Sequence, residues 1–196
     1  MSKSFIDFLL KRRSVTAKTM MPSNVNDIDL NNIISVGTRV PDHGALAPWK
    51  IIILQGKTRE EFGKLHLGKR FKILNPNASY ETINYEENRF LRAGVVICVI
   101  SCPVKHDKIP LWEMQLSSAA VCYGILISAQ SLGYAAQWLT EWYAYDEVIL
   151  EALGGNIKND KISGFIYIGG KNLEPKERIR PEKNKIVQYW QKNKLV

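Results

Sequence analysis

The sequence is poor in the residues that mark many kinds of site. It holds three cysteines and three histidines in 196 residues. Cys98, Cys102 and Cys122 form no CxxC pair, and His43, His66 and His106 are scattered, so no spacing fits zinc. The odd cysteine count and the apolar settings predict reduced, buried thiols rather than a disulfide framework. No GxGxxG follows a strand, no GxxxxGKS or GxxxxGKT occurs, and GxSxG is absent. These absences count against a Rossmann dinucleotide site, a P-loop and an α/β-hydrolase. There are no internal repeats or low-complexity tracts. Phe5 to Leu10 is too short for the apolar core of a secretory signal, and Arg12 and Arg13 follow it. The longest apolar stretch, Ile109 to Ala136, carries Glu113, Gln115 and Gln130. It reads as a buried helix rather than a membrane span. The expectation is a cytoplasmic protein with no membrane partner.

What is present fits one globular domain over residues 1–196, with 45% hydrophobic and 23% charged residues. The formal net charge is +8. Such a charge suits nucleic acid, a membrane surface or an anionic small molecule. The lysines are spread along the chain, and no basic helix carries interleaved aromatics. A nucleic-acid partner is therefore not expected. A phosphate-bearing ligand needs only a few of these cations.

Hydrophobic spacing predicts a helix over Phe5 to Arg13, capped by Ser2 or Ser4, with Arg12, Arg13 and Ser14 at its end. Asn24 or Asn26 caps a second helix on which Leu30, Ile33, Ile34 and Gly37 share a face. Lys50 to Leu54 reads as a strand covered on both faces. Thr58 begins a polar helix that Asn75-Pro76-Asn77 breaks, and Tyr80 to Arg92 reads as a mostly solvated one. Ala93 to Ser101 is a buried strand. Leu111 to Tyr134 is the longest helix, apolar nearly all round and so expected to be buried on all sides, as a central helix or in a subunit interface. Gly133 ends it. Ala135 to Trp142 and Ile162 to Ile168 are further strands, with a short helix over Asp146 to Leu153 between them. The last segment, Lys171 to Val196, is charged until Ile186, Val187, Tyr189 and Trp190, an apolar patch that suits docking on another surface. The alternation places the chain in the α/β or α+β class.

The organising stretch runs from Thr38 to Trp49. Arg39 follows a helix, Pro41 and Pro48 stiffen a loop holding Asp42, His43 and Gly44, and Trp49 leads into a strand. By itself this is also an ordinary helix-to-strand connection. Arg12-Arg13 alone equally suits a solvated helix end that complements the helix dipole.

Taken together the motifs resemble the nitroreductase family of flavin enzymes, in particular its smallest single-domain members. Arg12-Arg13-Ser14 is similar to the family's Arg-x-Ser phosphate motif. Arg39-x-Pro41-Asp42-His43 running into Pro48-Trp49 is similar to a second motif. The long helix ending in Gly133, then Trp138-Leu139-Thr140, is similar to a third. Arg178-x-Arg180-Pro181 resembles the C-terminal phosphate contact. The resemblance implies an α+β fold with a central, mostly antiparallel sheet flanked by helices, a long buried central helix and a C-terminal arm.

It also implies a homodimer with FMN at the subunit interface. Arg12, Arg13, Ser14, Arg178 and Arg180 would hold the phosphate through charge-assisted hydrogen bonds. The backbone around Trp138, Leu139 and Thr140 would face the N5 and O4 edge of the ring, and Arg39 and His43 would reach the flavin of the other subunit. The stretch Ser128, Ala129, Gln130, Ser131, Leu132 and Gly133 matches a segment linked to the nicotinamide nucleotide. The implied activity is ping-pong hydride transfer from NADH or NADPH through FMN to a nitroaromatic, quinone or similar electron-poor acceptor. No side-chain acid or nucleophile is nominated, because the cofactor carries the chemistry. Ala45 and Ala47 stand where relatives often have polar ring contacts, and Thr16 where many have a lysine near the flavin pyrimidine. A flavin carrier or storage protein is the alternative from another class.

Overall fold

The computed structural model describes residues 2–190, with side chains from residue 4 onward. Helix α1 spans Ser2–Lys11 and α2 spans Asp27–Gly37. Strand β1 covers Trp49–Gln55. Helices α3 (Lys57–Phe62) and α4 (Lys69–Leu74) are joined by a π turn over Gly63–Gly68. Then come α5 (Tyr80–Glu87), β2 (Val95–Ser101) and the long helix α6 (Leu111–Ser131). Strand β3 (Ala135–Leu139), α7 (Glu147–Ala152), β4 (Lys161–Gly169) and a short α8 (Lys183–Ile186) complete the described chain. The fold is α+β.

The four strands form one antiparallel sheet in the order β1-β2-β4-β3. Every residue of β2 is buried. The sequence of β2 is continuously apolar because both sheet faces are covered. On one face Val95, Ile97 and Val99 meet Ile33 of α2 and Val121 and Ile125 of α6. On the other, Val96, Cys98 and Ile100 join Phe62, Leu67, Phe90, Tyr143 and Phe165. Successive strand residues point to opposite faces, so one run serves two cores.

Two small residues let α2 lie against α6. A Cβ on Gly37 would stand 2.4 Å from the Ile125 side chain, and one on Gly124 would stand 2.9 Å from the Gly37 carbonyl oxygen. Helix α2 is capped by Asn26, whose side-chain oxygen accepts from the Asp29 N–H at 2.8 Å.

Several expectations need correcting. Strand β1 is an edge strand with one neighbour, so within a single chain only Leu54 is buried and Ile53 is 40% exposed. Within the single chain helix α6 is not buried all round, so it is not a central helix, and the subunit-interface alternative stays open. Val121, Cys122 and Ile125 pack with the strand residues of one core, while Trp112, Leu116 and Tyr123 form an open stripe, with Trp112 65% exposed. Strand β3 ends at Leu139, because Trp142–Ala144 turns as a 3-10 helix. Residues 80–92 divide into α5 and a 3-10 turn over Arg89–Arg92, and Glu86 and Phe90 are buried rather than solvated. Helix α1 already starts at Ser2, so Ser4 lies inside its first turn. The Ser2 side chain and the last six residues of the C-terminal arm lie outside the described ones. Ile186, Tyr189 and Trp190 of the arm are exposed. Among the described residues no helix is long and apolar enough to cross a membrane.

Candidate functional site

Helix α1 ends at Lys11, and the chain leaves it extended, carrying Arg12, Arg13 and Ser14 half-buried past the C-terminus of α6. The buried Gln130 amide joins the two: its nitrogen donates to the Arg13 carbonyl at 3.0 Å and to the Ala136 carbonyl at 3.2 Å. Its oxygen lies 3.5 Å from the Arg12 guanidinium. Gln137 of β3 accepts from the Ala17 N–H at 2.5 Å. The N-terminal motif is thereby fixed to both α6 and β3.

The C-terminal arm crosses the same place. With Phe8, Arg12, Arg13, Gln130 and Lys171, its residues Glu174 and Glu177 line a cleft of about 320 Å³. Arg13 donates to the Lys176 carbonyl and lies 3.7 Å from the Glu177 carboxylate. Arg180 reaches the same carboxylate at 3.0 Å, and the Arg178 N–H donates to it at 2.7 Å. The Arg178 N–H, then Arg180 and Arg13, hold the Glu177 carboxyl below the usual carboxylate range. The structure thus brings Arg12, Arg13 and Arg180 together, with Ser14 beside them. The Arg178 side chain is exposed, and only its backbone joins the cluster. Paired guanidinium groups are a donor set that suits an anion.

The other predicted residues lie elsewhere in the single chain. Trp138 donates its indole N–H to the Ser163 carbonyl at 3.0 Å. Leu139 is half-buried and Thr140 exposed at the end of β3. Of the helix-end segment, the Ser128 and Ser131 hydroxyls bond helix carbonyls, Ala129 is buried, and Leu132 and Gly133 are exposed. Gly133 has φ +91°, which suits its place at the helix end. Arg39 is exposed just past α2, and His43 Nδ1 lies 2.6 Å from the Glu113 carboxylate of α6.

The His43 loop is held by specific contacts. The Asp42 carboxylate accepts from the Ala47 N–H at 2.7 Å, and Ser117 donates to the Pro41 carbonyl at 2.7 Å. Gly44, Ala45 and Ala47 all have positive φ. Gly44 adopts this freely, whereas the two alanines do so at a cost.

Sequence reasoning missed Gln130 as a bridge, Glu177 as the shared anion and Glu113 as the partner of His43. The alternation of charge in Glu177-Arg178-x-Arg180 was the available sign for the second. Nothing local signals the other two.

A helical flank, a fully antiparallel sheet and a cleft of arginines and glutamates crossed by the C-terminal arm define an α+β protein. The model of the nitroreductase family matches residues 9–170, and the chain belongs to that family. A protein of Escherichia coli (strain K12) named "Putative NAD(P)H nitroreductase YdjA" is 27% identical over 187 residues, covering 94% of this chain and 98% of its own. A nitroreductase-like family protein from Bacillus cereus has the same fold, with a TM-score of 0.77 at 20% identity over 94% of this chain and 95% of its own. A nitroreductase from Bacteroides fragilis, solved with bound FMN, gives a TM-score of 0.67 at 18% identity over 95% of this chain and 98% of its own. Family membership and an FMN-bound neighbour of this fold support a flavin oxidoreductase.

Proposed function

We propose that the protein is an FMN-dependent oxidoreductase that uses NADH or NADPH to reduce nitroaromatic, quinone or similar electron-poor acceptors. The observation that carries this reading is the meeting of the two arginine motifs. Arg13 from one end of the chain and Arg180 from the other converge on the Glu177 carboxylate, which lines a cleft with Arg12. A site that gathers guanidinium groups around one carboxylate, here Glu177, also suits a phosphate dianion. The residues therefore fit the phosphate end of FMN.

Bound FMN supplies the two-electron chemistry, in ping-pong order between the nicotinamide and the acceptor. The chain binds and orients. Arg12, Arg13, Ser14, Arg178 and Arg180 hold the phosphate, and the backbone of Trp138, Leu139 and Thr140 faces the ring. Gln130 keeps the Arg13 backbone in register with β3. Exposed Ser131, Leu132 and Gly133 at the end of α6 are the part of residues 128–133 open to a nicotinamide nucleotide.

The active form is a homodimer with the flavin at the interface, Arg39 and His43 reaching the ring of the partner. The open Trp112, Leu116 and Tyr123 stripe on α6 and the exposed Ile186, Val187, Tyr189 and Trp190 of the arm support this. Each is apolar surface that a second copy would cover.

Steady oxidation of NADH or NADPH by the FMN-loaded protein, with a quinone or a nitroaromatic as acceptor, tests the reading. Turnover above that of free FMN supports it. Tight FMN binding without turnover indicates a carrier or storage protein instead.

A further inference from the structure

The residues after β3 are anchored one after another into a buried ionic cluster built by α5 and the 3-10 turn that follows it. Glu86 is 4% exposed and receives the Arg89 guanidinium through Nη2 at 2.6 Å and through Nε. Glu141 Oε2 is ion-paired with Arg89 but buried without a hydrogen-bond partner among the described residues, and Oε1 lies 3.6 Å from Arg92. The Trp142 indole N–H donates to Glu86 at 2.8 Å. The Tyr143 hydroxyl lies 2.7 Å from that of Tyr167, both fully buried. On the other side, Trp138 is tied to the Ser163 carbonyl and its indole lies on Gly164, where a Cβ would stand 1.9 Å from Nε1. Leu139 and Thr140 are the residues left between two sets of anchors.

A plain surface turn needs none of this. Burying charges is costly unless each is matched, and removing one partner leaves the other stranded. Arg92 and Glu141 are the members held by charge rather than by hydrogen bonds. The two terminal nitrogens of Arg92 are buried with no hydrogen-bond partner among the described residues, and its guanidinium lies 4.6 Å from the centre of the Tyr85 ring. Arg92 therefore relies on the charge of Glu141, and Glu141 is the residue that carries the cluster's hold to the Thr140 backbone.

We propose that Glu141, gripped by Arg89 and Arg92, is a positioning residue that fixes the Leu139–Thr140 backbone at the flavin ring. The inference rests on the FMN reading above and adds the residues that set the ring contact, none of which is an arginine of the phosphate cleft. Backbone groups that meet a reacting ring must be held closely, and a misplacement of about 1 Å can cost on the order of 100-fold in rate.

The test uses FMN-loaded protein. Four chains are compared: wild type, Glu141→Gln, the charge-balanced double Glu141→Gln with Arg92→Gln, and Leu67→Ala as a core-destabilised control. Melting temperature, the visible flavin band, the flavin reduction potential, and kcat and KM for quinone reduction are measured. Glu141→Gln is expected to keep FMN, because the phosphate cleft is intact. Its band and potential shift, and kcat falls by about 10- to 100-fold with little change in KM. The double variant recovers melting temperature without recovering kcat. Leu67→Ala melts lower but keeps the wild-type band, potential and kcat.

If Glu141→Gln does not fold, the double variant carries the comparison. Wild-type band, potential and kcat in the Glu141 variants overturn the proposal and leave the FMN reading intact, as does a control that changes these readouts to the same degree. A wild type that takes up no FMN overturns both.

Discussion

Arg13 and Arg180 share the carboxylate of Glu177, at 3.7 and 3.0 Å. The two arginines come from opposite ends of the chain, and no local structure requires them to meet. A carboxylate between them stands where the account puts a phosphate. Replacing both Arg12 and Arg13 by alanine is expected to weaken FMN retention by about 10-fold or more, since hydrogen bonds to charged groups contribute roughly 1.5–3 kcal/mol each. Equilibrium dialysis against FMN measures this. Unchanged affinity would remove the pair from the phosphate site.

The open stripe on α6 predicts that Leu116→Lys, alone or with Trp112→Asp, yields a monomer that loses flavin. Light scattering together with flavin absorbance reads both properties. A wild-type monomer that retains FMN would overturn the shared-site arrangement.

Ala45 and Ala47 sit at φ 52° and 45° in the loop that carries His43. The left-handed region costs an L-residue about 1–2 kcal/mol, and asparagine visits it more readily. Ala47 also precedes Pro48, a position that favours extended backbone. The Asp42 carboxylate on the Ala47 N–H helps to hold it there. Ala45→Asn is expected to raise the melting temperature by about 1–3 °C, whereas Ala45→Val lowers it, at roughly 2–4 °C per kcal/mol for a chain of this size. Thermal denaturation of the pair checks the sign. Stabilisation by valine would contradict the strain.

Alkaline pH should destabilise the fold. Burial pushes the Cys122 thiol up to about 12. Burial likewise pushes the Tyr143 phenol up to about 12, against the opposing pull of Tyr167, Arg89 and Arg92. Both groups are acids held neutral by the fold. Their contribution is complete below the ordinary thiol value and is lost as pH rises through the raised values. The melting temperature is expected to be level up to about pH 9 and to fall steadily above it. Cys102, raised to about 11 chiefly by burial and also by Asp160, should resist alkylation at pH 8 and react faster as pH approaches that value.

Much of this architecture was legible in local pattern. The buried run Val95 to Ile100, the Asn26 cap and the glycine at 133 each follow from the nearest few residues. Strand β1 was misread because Ile51 to Ile53 look equally apolar whether the cover comes from the same chain or from a second copy. The sequence of α6 leaves a central helix and an interface helix equally open for the same reason. Arg12, Arg13 and Arg180 were found as motifs, but their meeting depends on how the arm crosses α1. The Glu86, Arg89, Arg92 and Glu141 cluster stayed hidden because its charges read as solvated helix surface. Only the packing of Phe90 of the 3-10 turn against Tyr143, Phe165 and Tyr167 brings them inside.

The visible absorption spectrum of the purified protein, repeated after denaturation to release any cofactor, tests the central claim most directly. The account predicts flavin bands and one FMN released per chain. A colourless protein that also fails to take up added FMN would contradict it, and the arginine cleft would then belong to another anion.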